Sequence, residues 1–394
     1  MCIAIQSWVL GFSLGLTAIS GISAPVEVTS IAGVRAIKTT IELAGMNTWV
    51  RSVAIGPASN TLYLLIDSRP DGMGMSTARP STIFKDNGGN ISVISMPQTV
   101  PVAEGASQTQ STTTLASTSH LATDTLGKPY LLTMALSGAT QLHKLSENGP
   151  LGEGMPVAIG LPSLTIRRFK AVGDRGFLIV GASGLRPAIV HIDAFGRVLQ
   201  RIVLAEEGAA IAALLAPGNE IAVLVENTDA NIPQSWIGRV RTDGSIGVRS
   251  KLAGKPLDFE MGIEGNYAVL LEQLSGSRYD ILIKGFNREF KEQWSRTAVT
   301  GQAISRGFKV AGLRDGGYLL EGRRDRGLWL SRVNIKGEEM WSSWTDPSKM
   351  TDLETTVNVD LATSNNAIAV AYSALIVRER KQYGVTRTLQ FVID

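Results

Sequence analysis

The feature that most constrains this chain is a repeat. The segment DRGFLIVGASGLRPAIVHIDAFG, Asp174 to Gly196, aligns without a gap on DGGYLLEGRRDRGLWLSRVNIKG, Asp315 to Gly337. Asp174 falls on Asp315, Gly181 on Gly322, Asp193 on Asn334 and Gly196 on Gly337. The offset, 337 − 196 = 141 residues, is three steps of 47. The intermediate copies are present. A turn recurs at Gly149, Gly196, Gly244, Phe290 and Gly337, in steps of 47, 48, 46 and 47 residues. Two short apolar runs precede each turn, as in FLIVG and IVHI or YAVLLE and ILIK. Two less regular units, TLYLLID with STIFKDNGG and AIAVAYSALIV with RTLQFVID, flank these five and bring the count to seven.

A unit of this length holds about four short strands. One four-stranded sheet cannot bury both of its faces alone. Sheets stacked radially around an axis bury them against one another, so the predicted fold is all-β, a seven-bladed β-propeller of four-stranded blades. The turn glycine supplies a positive φ, and the Asp or Asn three residues before it is expected to bond its own backbone. The last unit reaches only Asp394, level with Asp193 and Asn334, and so lacks a fourth strand. The segment SIAGVRAIKTTIEL, from Ser30, begins like a turn followed by a strand. It is expected to close the ring by pairing with the last blade, which removes a free sheet edge. The innermost strand of the first blade is then expected near WVRSVAI.

Two insertions break the period. From Gly88 to Gly149 is 61 residues, 14 more than one step, and the surplus lies in the Ser-, Thr- and Gln-rich segment 97–119, read as a polar surface loop. The second, IVRERKQYGVTRT, reads as a long charged hairpin in the last blade.

The first charged residue is Glu27. The uncharged stretch before it, with small residues at Ser20, Ser23 and Ala24, resembles a secretory signal peptide over 1–24, although it has no Lys or Arg at its start. Retention as a membrane anchor is the alternative. Residues 25–394 are then one propeller domain, with no membrane span once the signal is removed. The single cysteine, Cys2, lies inside the leader, so the remainder has no thiol for a disulfide, a metal or nucleophilic attack. This pattern points to a periplasmic or secreted monomer. The net charge of +3 is small for 394 residues, and no basic block with interleaved aromatics is present, so nucleic acid is not an expected partner.

The spacing N-x-x-G-x-x-x-W, carried by Asn334, Gly337 and Trp341 and in part by Asn287 and Trp294, resembles the tryptophan-bearing motif of pyrroloquinoline-quinone-type propellers. Only these two units carry the tryptophan, and the Ala-x-Asp and Thr-Gly that precede it in that family are absent. No functional residues are therefore carried over from it, and no cofactor is expected.

Histidine is scarce. His143 and His191 stand six and five residues before their turn glycines, registers that point to opposite strand faces, while His120 lies near an inner strand where it can face the channel. No phosphate-cradling glycine motif and no Gly-x-Ser-x-Gly elbow occurs. The suggestive feature is the placement of cations. Arg51, Arg168, Lys170, Arg306 and Lys309 fall on expected inner strands, and Arg323, Arg324 and Arg326 on a hairpin tip. With His120 they are the candidate contacts for a ligand or partner, and they predict a weakly positive funnel at the channel mouth. The function expected is an exported, non-enzymatic binding scaffold whose partner is a protein or an envelope polymer. The alternative is a periplasmic propeller enzyme, either a quinone-dependent oxidoreductase or a lyase or hydrolase of an anionic polymer.

Overall fold

A computed structural model describes residues 22–392, apart from 24–25, 32–33, 44–45, 57–60, 71–80, 88–89, 95–115, 136, 147–148, 151–153, 217, 219, 228–234, 303–307, 346–352, 364–366 and 379–380. The described residues form seven antiparallel sheets, four of four strands and three of five. Blade 1 is built on Met46–Ile55, Thr61–Pro70, Ser81–Asn87 and Asn90–Ile94, with the short Ile22–Ser23 added at its edge. Blade 3 (Leu164–Ala171, Phe177–Ser183, Arg186–Ile192, Val198–Val203) shows the plain form of the unit. Blades 4, 5 and 6 repeat it, with innermost strands Ala209–Leu215, Lys255–Met261 and Lys309–Gly312. Blade 2 begins with Ala116–Thr123, so the last residues of the polar segment 97–119 belong to its innermost strand. Residues 1–21 of the expected leader, residues 97–115 of that segment and Arg306 lie outside the described residues.

The seven innermost strands touch in cyclic order, and that of blade 7 (Leu353–Thr363) returns to that of blade 1. The fold is a closed seven-bladed β-propeller. No helix among the described residues is long and apolar enough to cross a membrane.

Seven hydrophobic clusters hold the ring, one between each pair of neighbouring blades. They arise from strand periodicity, because successive side chains of a strand point to opposite faces. In blade 3, Phe177 and Ile179 pack against blade 2, while Leu178 and Val180 pack against blade 4. All four are at most 1% exposed.

The ring closes where the sequence places the closure. Val34–Ile41 pairs antiparallel with Lys381–Val392 of the last blade, with Ala36 opposite Phe391 and Ile41 opposite Thr386. A fifth strand, Val26–Ile31, folds back outside it. The charged insertion of the last blade is a hairpin of two 12-residue strands, Ala367–Arg378 and Lys381–Val392. Polar bonds stitch blade 7 to blade 1. The Val50 amide donates to Ser373 Oγ at 2.6 Å, the Val53 amide to Asp360 Oδ2 at 2.8 Å, and Asn358 Nδ2 to the Val50 carbonyl at 3.3 Å.

The turns behave as their residues require. Asp193, Asn287 and Asn334 each accept two backbone amides, two and four residues ahead, at 2.8–3.1 Å. Gly196, Gly244 and Gly337 have φ of 77°, 82° and 80°, and Phe290 adopts 58° at the same position. Burial holds Phe290 there. It is 0% exposed, its ring stacks on Tyr267 with centroids 4.8 Å apart, and the Arg239 guanidinium lies 5.6 Å from its centroid. At the next turn the Trp294 indole N–H donates to the Ile335 carbonyl at 2.8 Å, and a Cβ on Gly337 would overlap that indole.

Two sets of variants test these turns by urea denaturation. Phe290→Gly relieves a left-handed conformation worth about 1–2 kcal/mol but forfeits aromatic burial worth about 3–5 kcal/mol, so a net loss of about 2 kcal/mol is expected. Gly276 (φ 63°) has open space around it, so Gly276→Ala should cost only the backbone strain, whereas Gly337→Ala adds a steric overlap and should cost clearly more. Equal losses at the two glycines would show that the Trp294 contact is not rigid.

Candidate functional site

The innermost strands share an irregularity. The pairing of the first with the second strand slips at Val50/Ser52, Ala116/Thr118, Ile166/Arg168, Ala210/Ala212, Pro256/Asp258 and Thr356/Asn358. Six blades thus carry a bulge near the same level. A bulge bends its strand and re-aims the side chains around it. The residues that follow line a central cavity of about 790 Å³, walled chiefly by blades 1, 2, 3, 6 and 7, with Glu260 contributed by blade 5.

Charged groups ring this cavity, most of them already engaged. Blade 3 presents Arg168 and Lys170, two residues apart and therefore on one strand face. Blade 5 presents Asp258 and Glu260 in the same spacing. Arg168 pairs with Asp258 and Lys170 with Glu260. Both rungs pass the innermost strand of blade 4, AAIAALL, which has no polar side chain to interfere. The other Asp258 oxygen accepts the Val310 amide of blade 6 at 3.1 Å. Asp360 of blade 7 does the same to Val53 of blade 1. In blade 1, Arg51 Nε lies 3.0 Å from Asp67, which is almost fully buried on the second strand.

Lys309 is different. Among the described residues it forms no close ion pair, although carboxylates surround it. Glu321 stands opposite it in the strand register, and both act on Asp360 or are acted on by it. Glu321 is fully buried and neither oxygen has a hydrogen-bond partner. Burial, reinforced by Asp360, pushes its pKa well above the ordinary carboxyl range. Burial raises Asp360 as well.

His120 lines the cavity from blade 2, and its Nε2 is buried without a partner. Burial first, then the positive charges of Arg51 and Lys309, lower its pKa to about 4. The imidazole is therefore neutral at pH 7.

Of the residues singled out in the sequence, Arg51, His120, Arg168, Lys170, Lys309 and Arg323 meet at this cavity. Arg323 Nε donates to the Asp325 carbonyl at 2.7 Å. Arg324 instead lies over the Trp344 ring, 5.0 Å from its centroid, and Arg326 is an exposed tip residue whose carbonyl accepts the Thr356 amide at 2.7 Å. The expected positive funnel also holds carboxylates: Asp258, Glu260 and Asp360 on the innermost strands and Asp67 on a second strand stand among the cations. The two blade 5 carboxylates were missed, although they carry a sequence signal: Asp258 and Glu260 repeat the spacing of Arg168 and Lys170 exactly 90 residues on. His143 and His191 lie on third strands, bonded to Thr133 Oγ1 at 3.2 Å and to the Arg175 carbonyl at 2.9 Å. No group of three or more His, Asp or Glu side chains among the described residues is arranged to hold a metal ion.

The opposed shifts of His120 and Glu321 predict two opposite pH effects on stability. A histidine neutral when folded and protonated when unfolded costs stability as pH falls from about 6.5 to about 4, by up to about 3 kcal/mol. His120→Gln should flatten that limb of a melting-temperature profile. A carboxyl protonated when folded and ionised when unfolded costs stability as pH rises above about 4.5. Glu321→Gln should therefore gain on the parent protein as pH rises. Profiles of both variants parallel to the parent's would refute these assignments.

Comparison with known proteins adds no family. No protein-family profile and no curated protein matches the sequence. Solved structures with similar architecture include a YCF48 bound to D1 peptide, 12% identical, with 94% of this chain and 98% of that one covered and a TM-score of 0.49. Others are the Nup133 β-propeller domain of Vanderwaltozyma polyspora (7% identical, 92% and 100% covered, TM-score 0.49) and the WD40 domain of Toxoplasma gondii coronin (8% identical, 95% and 89% covered, TM-score 0.37). Likenesses this distant say nothing about activity. What is shown is the fold itself: the chain's own seven sheets and closed ring are those of a seven-bladed β-propeller.

Proposed function

We propose that the chain is an exported binding scaffold that recognises a protein or an envelope polymer through its hairpin-tip face and the mouth of its central cavity. The observation that carries this reading is the preorganised cavity wall. Arg168, Lys170 and Arg51 are each held by a carboxylate from another strand, so their positions are set before a ligand arrives. Preorganisation lowers the ordering cost of binding. The Arg323 and Arg324 side chains extend the polar surface towards the hairpin tip, and the apolar clusters behind it keep the ring rigid. Export rests on the uncharged leader and on the lack of cysteine beyond it.

A second reading, an enzyme working in the cavity on an anionic polymer, draws on one observation. His120 and Glu321, with pKa values displaced in opposite directions, both lie close to Lys309. Opposed shifts of this kind suit a base and an acid.

The test uses the full chain expressed in its native host. Cell fractionation should recover it outside the cytoplasm. Crosslinking should capture a partner, and the triple variant Arg323→Ala/Arg324→Ala/Arg326→Ala should lose that same partner while keeping its melting temperature. Recovery in the cytoplasm would overturn export. Capture unaffected by the tip variant, or turnover of a polymer abolished by His120→Gln, would overturn the scaffold reading.

A further inference from the structure

The cavity divides into two regions of different character. Towards blades 3 and 5, two cations are paired with carboxylates: Arg168 with Asp258 and Lys170 with Glu260. Towards blades 1, 2 and 6, the balance changes. Asp67 takes one nitrogen of Arg51, a guanidinium that is 38% exposed and has further donors to offer. Lys309 has no close ion pair among the described residues. The carboxyl nearest it in strand register, Glu321, is sealed at 0% exposure with no donor bonded to either oxygen. Asp258 is committed to Arg168 and the Val310 amide, and Asp360 to the Val53 amide. Close to both cations stands the ring of His120, with an unpartnered nitrogen.

We propose that this part of the cavity binds a small organic anion, its carboxylate or phosphate group held between Lys309 and Arg51 and against the ring of His120. The proposal rests on the cavity being a binding site, and it names the chemical class of the occupant. Three features support it besides the cations themselves. The volume of about 790 Å³ falls within the usual range for small-molecule pockets. The cations come from two different blades, 1 and 6, and both act on His120, so an anion beside that ring meets positive charge from two sides. Partial enclosure also strengthens each charge–charge contact over its value in water.

Protonation is coupled to binding. The charged groups that line the cavity with His120 are Arg51 and Asp67 on blade 1, Arg167, Arg168 and Lys170 on blade 3, Glu260 on blade 5, Lys309 and Arg323 on blade 6 and Asp360 on blade 7. The two cations that depress its pKa are those assigned to the anion. An anion seated between them screens their effect and favours the imidazolium, so binding takes up a proton and tightens as pH falls.

The experiment needs no variant that risks the fold. The chain has three histidines, so its imidazole resonances in an NMR spectrum are few. Inorganic phosphate and citrate are the two probes, titrated separately into the full chain at constant ionic strength. At least one should shift the His120 resonance saturably and raise its titration midpoint by one unit or more, leaving His143 and His191 in place. Response to phosphate alone identifies a phosphate-bearing ligand, and response to citrate alone a carboxylate; either supports the site. No saturable shift with either probe, or equal movement of all three histidines, overturns it. Lys309→Met, checked for a retained melting temperature, should weaken binding at least tenfold, and Lys309→Arg should largely restore it. Failure of both probes leaves the partner-capture test of the scaffold untouched, and failure of that capture leaves this one intact.

Discussion

Each blade depends on one strand that is apolar on both faces. The second strands, such as Phe177–Ser183, Ile221–Glu226 and Tyr267–Ser275, alternate their side chains between two neighbouring clusters. Burial of a large apolar side chain contributes about 1.5–3 kcal/mol, and each of these strands places several at or near 0% exposure. No blade can satisfy both faces of that strand by itself. The repeat in the sequence is thus the imprint of a packing requirement, and the cyclic contact of the innermost strands follows from meeting it seven times.

With the core secured by the second strands, the innermost strands are free to carry charge. They expose one edge to the central cavity, and in six of them a bulge re-aims the side chains around it. A buried charge there depends on its partner. An ion pair left with one buried partner costs about 3–5 kcal/mol, and Asp258, at 1% exposure, is such a partner for Arg168. The Arg168–Asp258 and Lys170–Glu260 rungs span blade 4 because its innermost strand offers only alanine, isoleucine and leucine. Charge in one blade and the absence of charge in the next are parts of one arrangement.

The sequence shows the architecture more clearly than the site, and particular residues explain why. The step of 47 residues survives wherever an apolar strand and a tight turn are needed, even where Phe290 replaces glycine, because the turn is set by backbone geometry and the aromatic ring finds a buried place. The cations of the site were also legible, since an arginine or lysine interrupting an apolar run is conspicuous. Their carboxylate partners were harder to read, since Arg168 and Asp258 are joined across an intervening blade, a proximity that exists only once blades 3, 4 and 5 are stacked. The unusual state of Glu321 was hidden for a similar reason. It sits in a strand whose sequence, YLLEGRR, reads as one charge at a hairpin tip, whereas the structure buries it entirely.

The seam between blade 7 and blade 1 has a consequence for biosynthesis. Val34–Ile41 must wait for Lys381–Val392 before its own edge is paired. During translation the first of these strands emerges some 340 residues before the second, counted from residue 41 to residue 381. Throughout that interval the nascent chain carries an open strand edge and half of an apolar interface. The cavity's full wall, Asp360 against Val53 included, exists only once these two ends of the chain have met.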